Sequence, residues 1–262
     1  AQAFAWAREA VFREICGDIM LALPYYSTAE FDKTLALLQA GGCTHISAYL
    51  LKIEPGTAFG RNPPPGLPDA DAAAEFYLYA VQRLAQEGYR QYEVSNFARS
   101  GFQSRHNLKY WSLDDYMGFG PGAHSCVGSL RYSYVRDLKG YISGVNRNMS
   151  IIDEYESISP LERAVEYIML GMRTSRGISE HDYRIRCQYD WTPVGKTLEA
   201  FSEKGWAELT EDRWHFTVPG FLISNTLIGI LLEAQAGGRI EGTPWLGEAF
   251  AAEKKISLPK GE

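Results

Sequence analysis

The sequence has no cysteine cluster. Its four cysteines, Cys16, Cys43, Cys126 and Cys187, lie far apart and form neither a CxxC nor a CxxxCxxC pattern, which excludes a local thiolate set for a metal or an iron–sulfur cluster. A disulfide framework is also unexpected in a chain of 262 residues, because such frameworks belong to small secreted domains. The reading is buried or inert thiols in a reducing cytoplasm. No run approaches the roughly 18 consecutive apolar residues of an integral membrane segment. The opening AQAFAWAREAVFREI already carries Arg8, Glu9, Arg13 and Glu14, so neither a signal peptide nor an anchor is expected. A basic surplus is missing too: the net charge of -6 argues against a nucleic-acid partner, since phosphate backbones are bound by clustered Lys and Arg. What is present is 45% hydrophobic and 13% aromatic residues, enough to bury a core as one large domain or two smaller ones.

Periodicity places the elements. Ala3, Phe4, Ala7, Val11 and Ile15 have helical spacing and lead into an apolar run, Ile19 to Leu23, that ends at Pro24. Ser27 and Glu30 have capping-box spacing, with Phe31, Leu35 and Leu38 on one helical face and Gly41-Gly42 as the stop. His45 to Leu51 then completes a β-α-β unit over residues 17–51. Its nearly all-apolar strands predict a parallel pair covered on both faces, with a right-handed crossover. Pro and Gly dominate residues 54–68, a surface loop. Asp69 and Asp71 open a helix with Phe76, Ala80 and Leu84 on one face and Gly88 at its end, and Gln91 to Ala98 is the next strand candidate. Residues 99–128 mix glycine, aromatic and polar residues without a period, the composition of a functional loop.

A domain boundary is expected at 151–159, dividing residues 1–150 from 151–235. Ser159, Pro160 and Glu162 supply an N-cap, a first-position proline and an N3 glutamate, with Leu161, Val165, Ile168, Met169 and Met172 as the buried stripe. Helices led by Ser179-Glu180 and Thr192-Pro193, the latter stopped by Gly205, precede a hairpin of Trp206–Leu209 and Trp214–Val218. Three short helices and a hairpin suggest a small winged-helix-like module. Glu180, Asp182, Asp190, Glu199, Glu203, Glu208, Glu211 and Asp212 leave it without a positive face, which favours a substrate lid or partner-docking role over DNA binding. Residues 236–262 are poorly patterned and read as a tail.

Four ordered segments carry a resemblance: Gly17-Asp18-Ile19-Met20-Leu21-Ala22-Leu23-Pro24, Tyr92-Glu93-Val94-Ser95-Asn96-Phe97-Ala98, His106-Asn107-Leu108-Lys109-Tyr110-Trp111, and Gly118-Phe119-Gly120-Pro121-Gly122-Ala123-His124-Ser125. In order and spacing, from residue 1 to about 235, the chain resembles the oxygen-independent coproporphyrinogen III oxidase-like radical S-adenosylmethionine proteins. The His-Asn-x-x-Tyr-Trp element is similar to their haem-chaperone, HemW-type branch. The resemblance implies an α/β fold: part of a TIM-like barrel with parallel strands, a β-rich extension, and the small helical C-terminal domain. It also implies a [4Fe-4S] cluster held by three cysteines of a CxxxCxxC motif, with S-adenosylmethionine on the open iron. That motif does not occur here, so the expectation is a C-terminal portion that neither assembles the cluster nor cleaves the cofactor. Such a portion would leave an apolar strand edge uncovered. Whether the chain is an enzyme is left open.

The resemblance also assigns residues. Asp18 falls in the S-adenosylmethionine pocket, where a carboxylate can accept hydrogen bonds from a ribose diol; the alternative is a strand-entry residue bonded to a loop amide. Leu50 matches a position that packs on that cofactor, and reads equally as core. Ala123 and His124 border the pocket. The Gly118-x-Gly120-x-Gly122 stretch before them lacks the marks of a P-loop or dinucleotide fingerprint, and a backbone needing close approach or positive φ accounts for it. Glu93 reads as a pocket polar group or as a buried structural carboxylate. His106 and Asn107 match a motif associated with haem binding, with an imidazole able to ligate haem iron as the metal-binding candidate, and with Tyr110 and Trp111 able to stack on a porphyrin. Otherwise His106 is a tethered loop histidine and the aromatics anchor the loop. The implied function is a haem chaperone that passes haem to client haem proteins. The alternatives are a coproporphyrinogen dehydrogenase, which oxidatively decarboxylates propionates, and a non-catalytic haem- or protein-binding module.

Overall fold

The computed structural model describes residues 2–187 and 189–237; of the tail expected at 236–262, residues 238–262 lie outside the described residues. The first unit comprises α1 (Gln2–Glu9), β1 (Cys16–Leu21), α2 (Thr28–Ala40), β2 (His45–Leu50), α3 (Ala58–Arg61), α4 (Ala70–Gln86), β3 (Arg90–Gln91) and β4 (Asn96–Ala98). The β-α-β unit is present, with β1 and β2 parallel and Asp18 opposite Ser47. Helix α2 starts on its capping box: Ser27 Oγ accepts from the Glu30 N–H, and the Glu30 carboxylate accepts from the Ser27 N–H at 2.9 Å. One face of the sheet turns Ile19, Leu21, Ile46, Ala48 and Phe97 onto Phe31, Leu35 and Leu38 of α2 and Ala80 and Leu84 of α4. Each large aliphatic or aromatic side chain buried there contributes roughly 1.5–3 kcal/mol. Strand alternation turns Cys16, Asp18, His45 and Ser47 to the other face.

Two expectations change. The strand candidate 91–98 is an antiparallel pair, β3 and β4, because residues 92–95 leave the sheet: Glu93 bridges to Thr174 and the Val94 N–H donates to the Arg173 carbonyl at 3.0 Å. Strand β4 also runs antiparallel to β2, so the sheet is mixed. Its order, β1-β2-β4-β3, is open and leaves β1 at an edge, with no closed barrel among the described residues.

The stretch expected as a loop contains α5 (Arg105–Trp111) and then β5 (His124–Val127). These lead to β6 (Leu130–Tyr134), α6 (Leu138–Asn146) and β7 (Ile152–Ser157). Strands β5, β6 and β7 form an antiparallel three-stranded sheet. The segment expected as a boundary thus supplies β7, whose Tyr155 stands opposite Tyr132 of β6.

The last unit comprises α7 (Pro160–Gly171), β8 (Ile178–Ser179), α8 (Glu180–Arg186), α9 (Thr192–Glu203), β9 (Ala207–Thr210), β10 (Arg213–Phe216), α10 (Val218–Leu222) and α11 (Ser224–Gly237). Ser159 and Glu162 form the expected capping box on α7, and Ser179 caps α8. The hairpin is β9–β10, and β8 adds to its β10 side. Ile168, Met172, Ile178, Tyr183, Leu198, Phe216, Leu227 and Leu231 share one core.

Candidate functional site

Helix α5 begins where Ser104 Oγ accepts the Asn107 N–H at 3.2 Å. Positions i, i+3 and i+4 share a helical face, and here that face is Asn107, Tyr110 and Trp111, which line a cleft of about 380 Å³, within the range of small-molecule sites. After the helix, Leu113 adopts a φ of 60°, and its N–H donates to the Tyr110 carbonyl at 3.3 Å. That turn carries Leu113, Asp114 and Tyr116 into the same wall. The rest of the lining comes from Asn96 on β4, Cys126 on β5, Arg131 on β6, Arg163 and Leu170 on α7, and Arg173 just beyond α7. The Tyr110 and Tyr116 rings meet edge-on with centroids 4.6 Å apart. His106 is exposed and outside the lining; its Nε2 lies 3.1 Å from Tyr110 Oη, and the two rings meet edge-on with centroids 5.1 Å apart.

The cationic wall is arranged unevenly. Arg131 pairs with Glu166 at 2.6 Å and Glu156 at 2.8 Å, and Arg163 shares Glu166 at 3.1 Å. Burial disfavours the Arg131 charge, but the bonds to Glu166 and Glu156 outweigh it and hold the guanidinium protonated beyond its usual range. Arg173 donates instead to the neutral Asn225 Oδ1 at 2.9 Å. Burial pushes the Tyr116 phenol up, so it stays a neutral hydroxyl.

The other predicted residues lie elsewhere. Asp18 shares the uncovered face of β1 with Cys16, whose Sγ is 3.5 Å from Asp18 Oδ1 and 3.0 Å from His45 Nδ1. His45 Nε2 is 2.7 Å from Tyr92 Oη, which also accepts the Ser104 N–H at 3.3 Å. Burial raises the Cys16 thiol, lowers the His45 imidazole and pushes Tyr92 up to about 12, which makes this a chain of neutral groups. Leu50 stands opposite Leu21, on the helix-facing side of the sheet, away from the Asp18 side chain. Ala123 and His124 sit at the start of β5, outside the cleft lining. The glycines before them serve backbone geometry: a Cβ on Gly118 would lie 2.4 Å from the His124 carbonyl oxygen, and Gly120 and Gly122 have φ of 105° and 70°. The four cysteines are all unpaired, and no group of three His, Cys, Asp or Glu among the described residues can hold a metal. These residues do not fit a [4Fe-4S] cluster.

Glu93 is 1% exposed and outside the cleft lining, with Oε2 accepting the Ser95 N–H at 3.3 Å and Oε1 without a partner. Burial raises its pKa. A carboxyl raised in the fold contributes stability that is complete below its unfolded value and is lost as pH rises through the folded value. Glu93→Gln, which keeps the shape without the charge, is therefore expected to flatten that loss and to stabilise the chain above the folded value by about 1 kcal/mol. Urea midpoints of both proteins from pH 4 to 8 check this; parallel curves would show that Glu93 is ionised at no cost.

Comparison with known proteins bears on these features. The HemN C-terminal domain family matches residues 158–223, the segment from α7 to α10. The haem chaperone HemW of Bacillus subtilis (strain 168) is 32% identical over 235 residues, 87% of this chain and 62% of that protein. That of Escherichia coli (strain K12) is 30% identical over 220 residues, 82% of this chain and 57% of that protein. Over most of its length the chain is similar to HemW haem chaperones. Radical S-adenosyl methionine domain-containing protein 1, mitochondrial, of Bos taurus is 29% identical, covering 93% of this chain and 56% of its own length. The chain thus spans less than two thirds of the relatives it matches. The solved structure of E. coli coproporphyrinogen III oxidase (HemN), a radical SAM enzyme, aligns with a TM-score of 0.70 over 88% of this chain and 57% of that one, at 16% identity. That likeness shows a shared α/β fold.

What the motifs of this chain did not disclose is the wall opposite α5. Asn96 lies inside a segment quoted for the resemblance, but Arg131, Arg163 and Arg173 come from separate elements with no shared spacing, and only the tertiary fold brings them together.

Proposed function

We propose that this chain binds haem or a closely related tetrapyrrole in the cleft beside α5 and, as part of a haem chaperone, passes it to client haem proteins. The observation that carries the reading is that one helix face delivers Asn107, Tyr110 and Trp111 into a cleft walled by three guanidinium groups. A tetrapyrrole offers the complement: a flat apolar plane for aromatic rings and anionic propionates for arginines. By resemblance His106, exposed and outside the cleft lining with Nε2 on the Tyr110 hydroxyl, is the residue that would ligate the iron, and it would have to turn away from Tyr110 to do so. The Asp18 carboxylate, on the sheet face not covered by helices, suits a ribose diol. By resemblance we read Asp18, Ala123, His124 and Leu50 as bordering S-adenosylmethionine, with Leu50 at the end of β2 on the sheet face opposite Asp18, and no step is derived through a cluster the cysteines do not fit. In the same reading, residues 1–150 are part of a TIM-like barrel with a β-rich extension, and residues 151–235 form a winged-helix-like, acidic partner-docking domain. The unpaired thiols suit a cytoplasmic protein, and no helix among the described residues is long and apolar enough to cross a membrane.

Titration of the chain with haem is expected to give a saturable Soret band. His106→Ala should abolish or shift it, and Trp111→Ala should weaken binding about tenfold, equivalent to 1.4 kcal/mol. Absence of saturable binding would overturn the reading, and an unchanged His106→Ala spectrum would remove that residue from the site. Oxidation of a porphyrinogen by the chain would favour the dehydrogenase alternative instead.

A further inference from the structure

The three arginines of the cleft are not equivalent. Glu166 accepts from both Arg131 and Arg163, and Glu156 also accepts from Arg131, so these two guanidiniums are already committed to carboxylates of the protein. Arg173 has a neutral partner, Asn225 Oδ1 at 2.9 Å, and no carboxylate partner among the described residues. A guanidinium carries five N–H donors in a planar fork, and one bond to an amide oxygen leaves the fork with capacity for an anion. Its place is fixed by the main chain: the Arg173 N–H donates to the Leu170 carbonyl at 3.1 Å, and its own carbonyl accepts from Val94 at 3.0 Å.

That second bond ties Arg173 to the segment leading into Asn96. Asn96 also lines the cleft and is only 6% exposed, yet its Oδ1 has no hydrogen-bond partner. That oxygen is itself buried, and the Asn96 side chain is bonded to the Glu93 carboxyl, so Asn96 shapes the wall beside Arg173.

We infer that Arg173, with Asn96 beside it, is the carboxylate anchor of the cleft, so that the ligand is a planar molecule bearing a propionate-type carboxylate, seated with that edge toward Arg173 and its plane against Tyr110 and Trp111. The inference rests on the tetrapyrrole reading and assigns the ligand's orientation within it. Arg131 and Arg163 serve as structural cations that hold β6 and α7 together through Glu166.

The test compares haem with its dimethyl ester, in which both carboxylates are masked, on the wild-type chain, Arg173→Lys and Arg173→Met. Wild type is expected to bind haem at least about tenfold more tightly than the ester, the size of a charge-assisted hydrogen bond. Arg173→Met should bind both ligands with the affinity wild type shows for the ester, and Arg173→Lys should retain part of the preference, since a point charge replaces the fork. Equal binding of haem and ester by wild type, or a preference undiminished in Arg173→Met, overturns the anchor while leaving the haem reading standing. Failure of both ligands to bind wild type overturns the haem reading itself, and the anchor with it.

Discussion

Replacing Gly177 with alanine is expected to destabilise the chain by about 3 kcal/mol, the sum of a left-handed backbone penalty of about 1–2 kcal/mol and an overpacking penalty of about 1–3 kcal/mol. Gly177 has a φ of +63°, and a Cβ there would lie 1.8 Å from the Trp214 carbonyl oxygen and 2.8 Å from the His215 Cβ. The obstacle is main chain of β10, which is paired with β8 on one side and β9 on the other, so it cannot retreat without breaking a ladder. Gly205→Ala is the matched control: its φ is +73°, but nothing lies within 4 Å of the added carbon. That variant should lose only the backbone term, about 1 kcal/mol. For a chain of this size, 1 kcal/mol corresponds to about 2–4 °C in Tm, so thermal scans of the two variants separate the effects. If Gly177→Ala melts with Gly205→Ala, the close approach to β10 is not limiting.

Arg213→Ala should be nearly as costly, about 2–3 kcal/mol. The guanidinium fastens the turn between α7 and α8: Nε donates to the Arg176 carbonyl at 3.0 Å, Nη2 to the Gly177 carbonyl at 3.0 Å, and Nη1 to Ser179 Oγ at 3.3 Å and Asp182 Oδ2 at 2.9 Å. Removing it leaves two carbonyls and a carboxylate short of donors in a region where Arg213 and Asp182 side chains are 21% and 29% exposed. The hydrogen bond from Arg213 is also the main reason the Asp182 carboxyl lies below the usual carboxylate range. A depressed carboxyl contributes stability that is present above its unfolded value and is lost as pH falls through the folded value. The penalty of Arg213→Ala is therefore expected to be full at neutral pH and to shrink as the solution is taken below the ordinary carboxylate range. Urea midpoints for wild type and variant at pH 7 and pH 3 check this; a penalty that does not change with pH would mean that the carbonyl bonds alone account for the effect.

Signals confined to a few adjacent residues were legible in the sequence. The capping boxes at Ser27 and Ser159, the hairpin around Glu211-Asp212 and the parallel β1–β2 pair all depend on local spacing or on continuous apolar runs, and each is present. Helix α5 was missed because its seven residues, RHNLKYW, carry no apolar stripe and bury none of their side chains; it is held by its Ser104 cap and by one face on the cleft. The split of residues 91–98 was missed because the bonds from Glu93 and Val94 to residues 173 and 174 come from a segment some eighty positions away, which no local pattern anticipates. At the site, the motif supplied Asn107, Tyr110 and Trp111, whereas the arginines opposite them follow from packing of β6 and α7. Asp18, Ala123 and His124 were named through likeness rather than through any physical mark of their own.

The sharing of Glu166 between two arginines has a kinetic consequence. Around the cleft, the guanidiniums of Arg131, Arg163 and Arg173 face the carboxylates of Glu156, Glu166 and Asp114, so the wall is close to electrical balance seen from a distance. A balanced wall does not steer an approaching anion, and association there should respond weakly to ionic strength. Any attraction the wall exerts on an anion is therefore confined to contact range, where Arg173 is engaged only by the neutral Asn225.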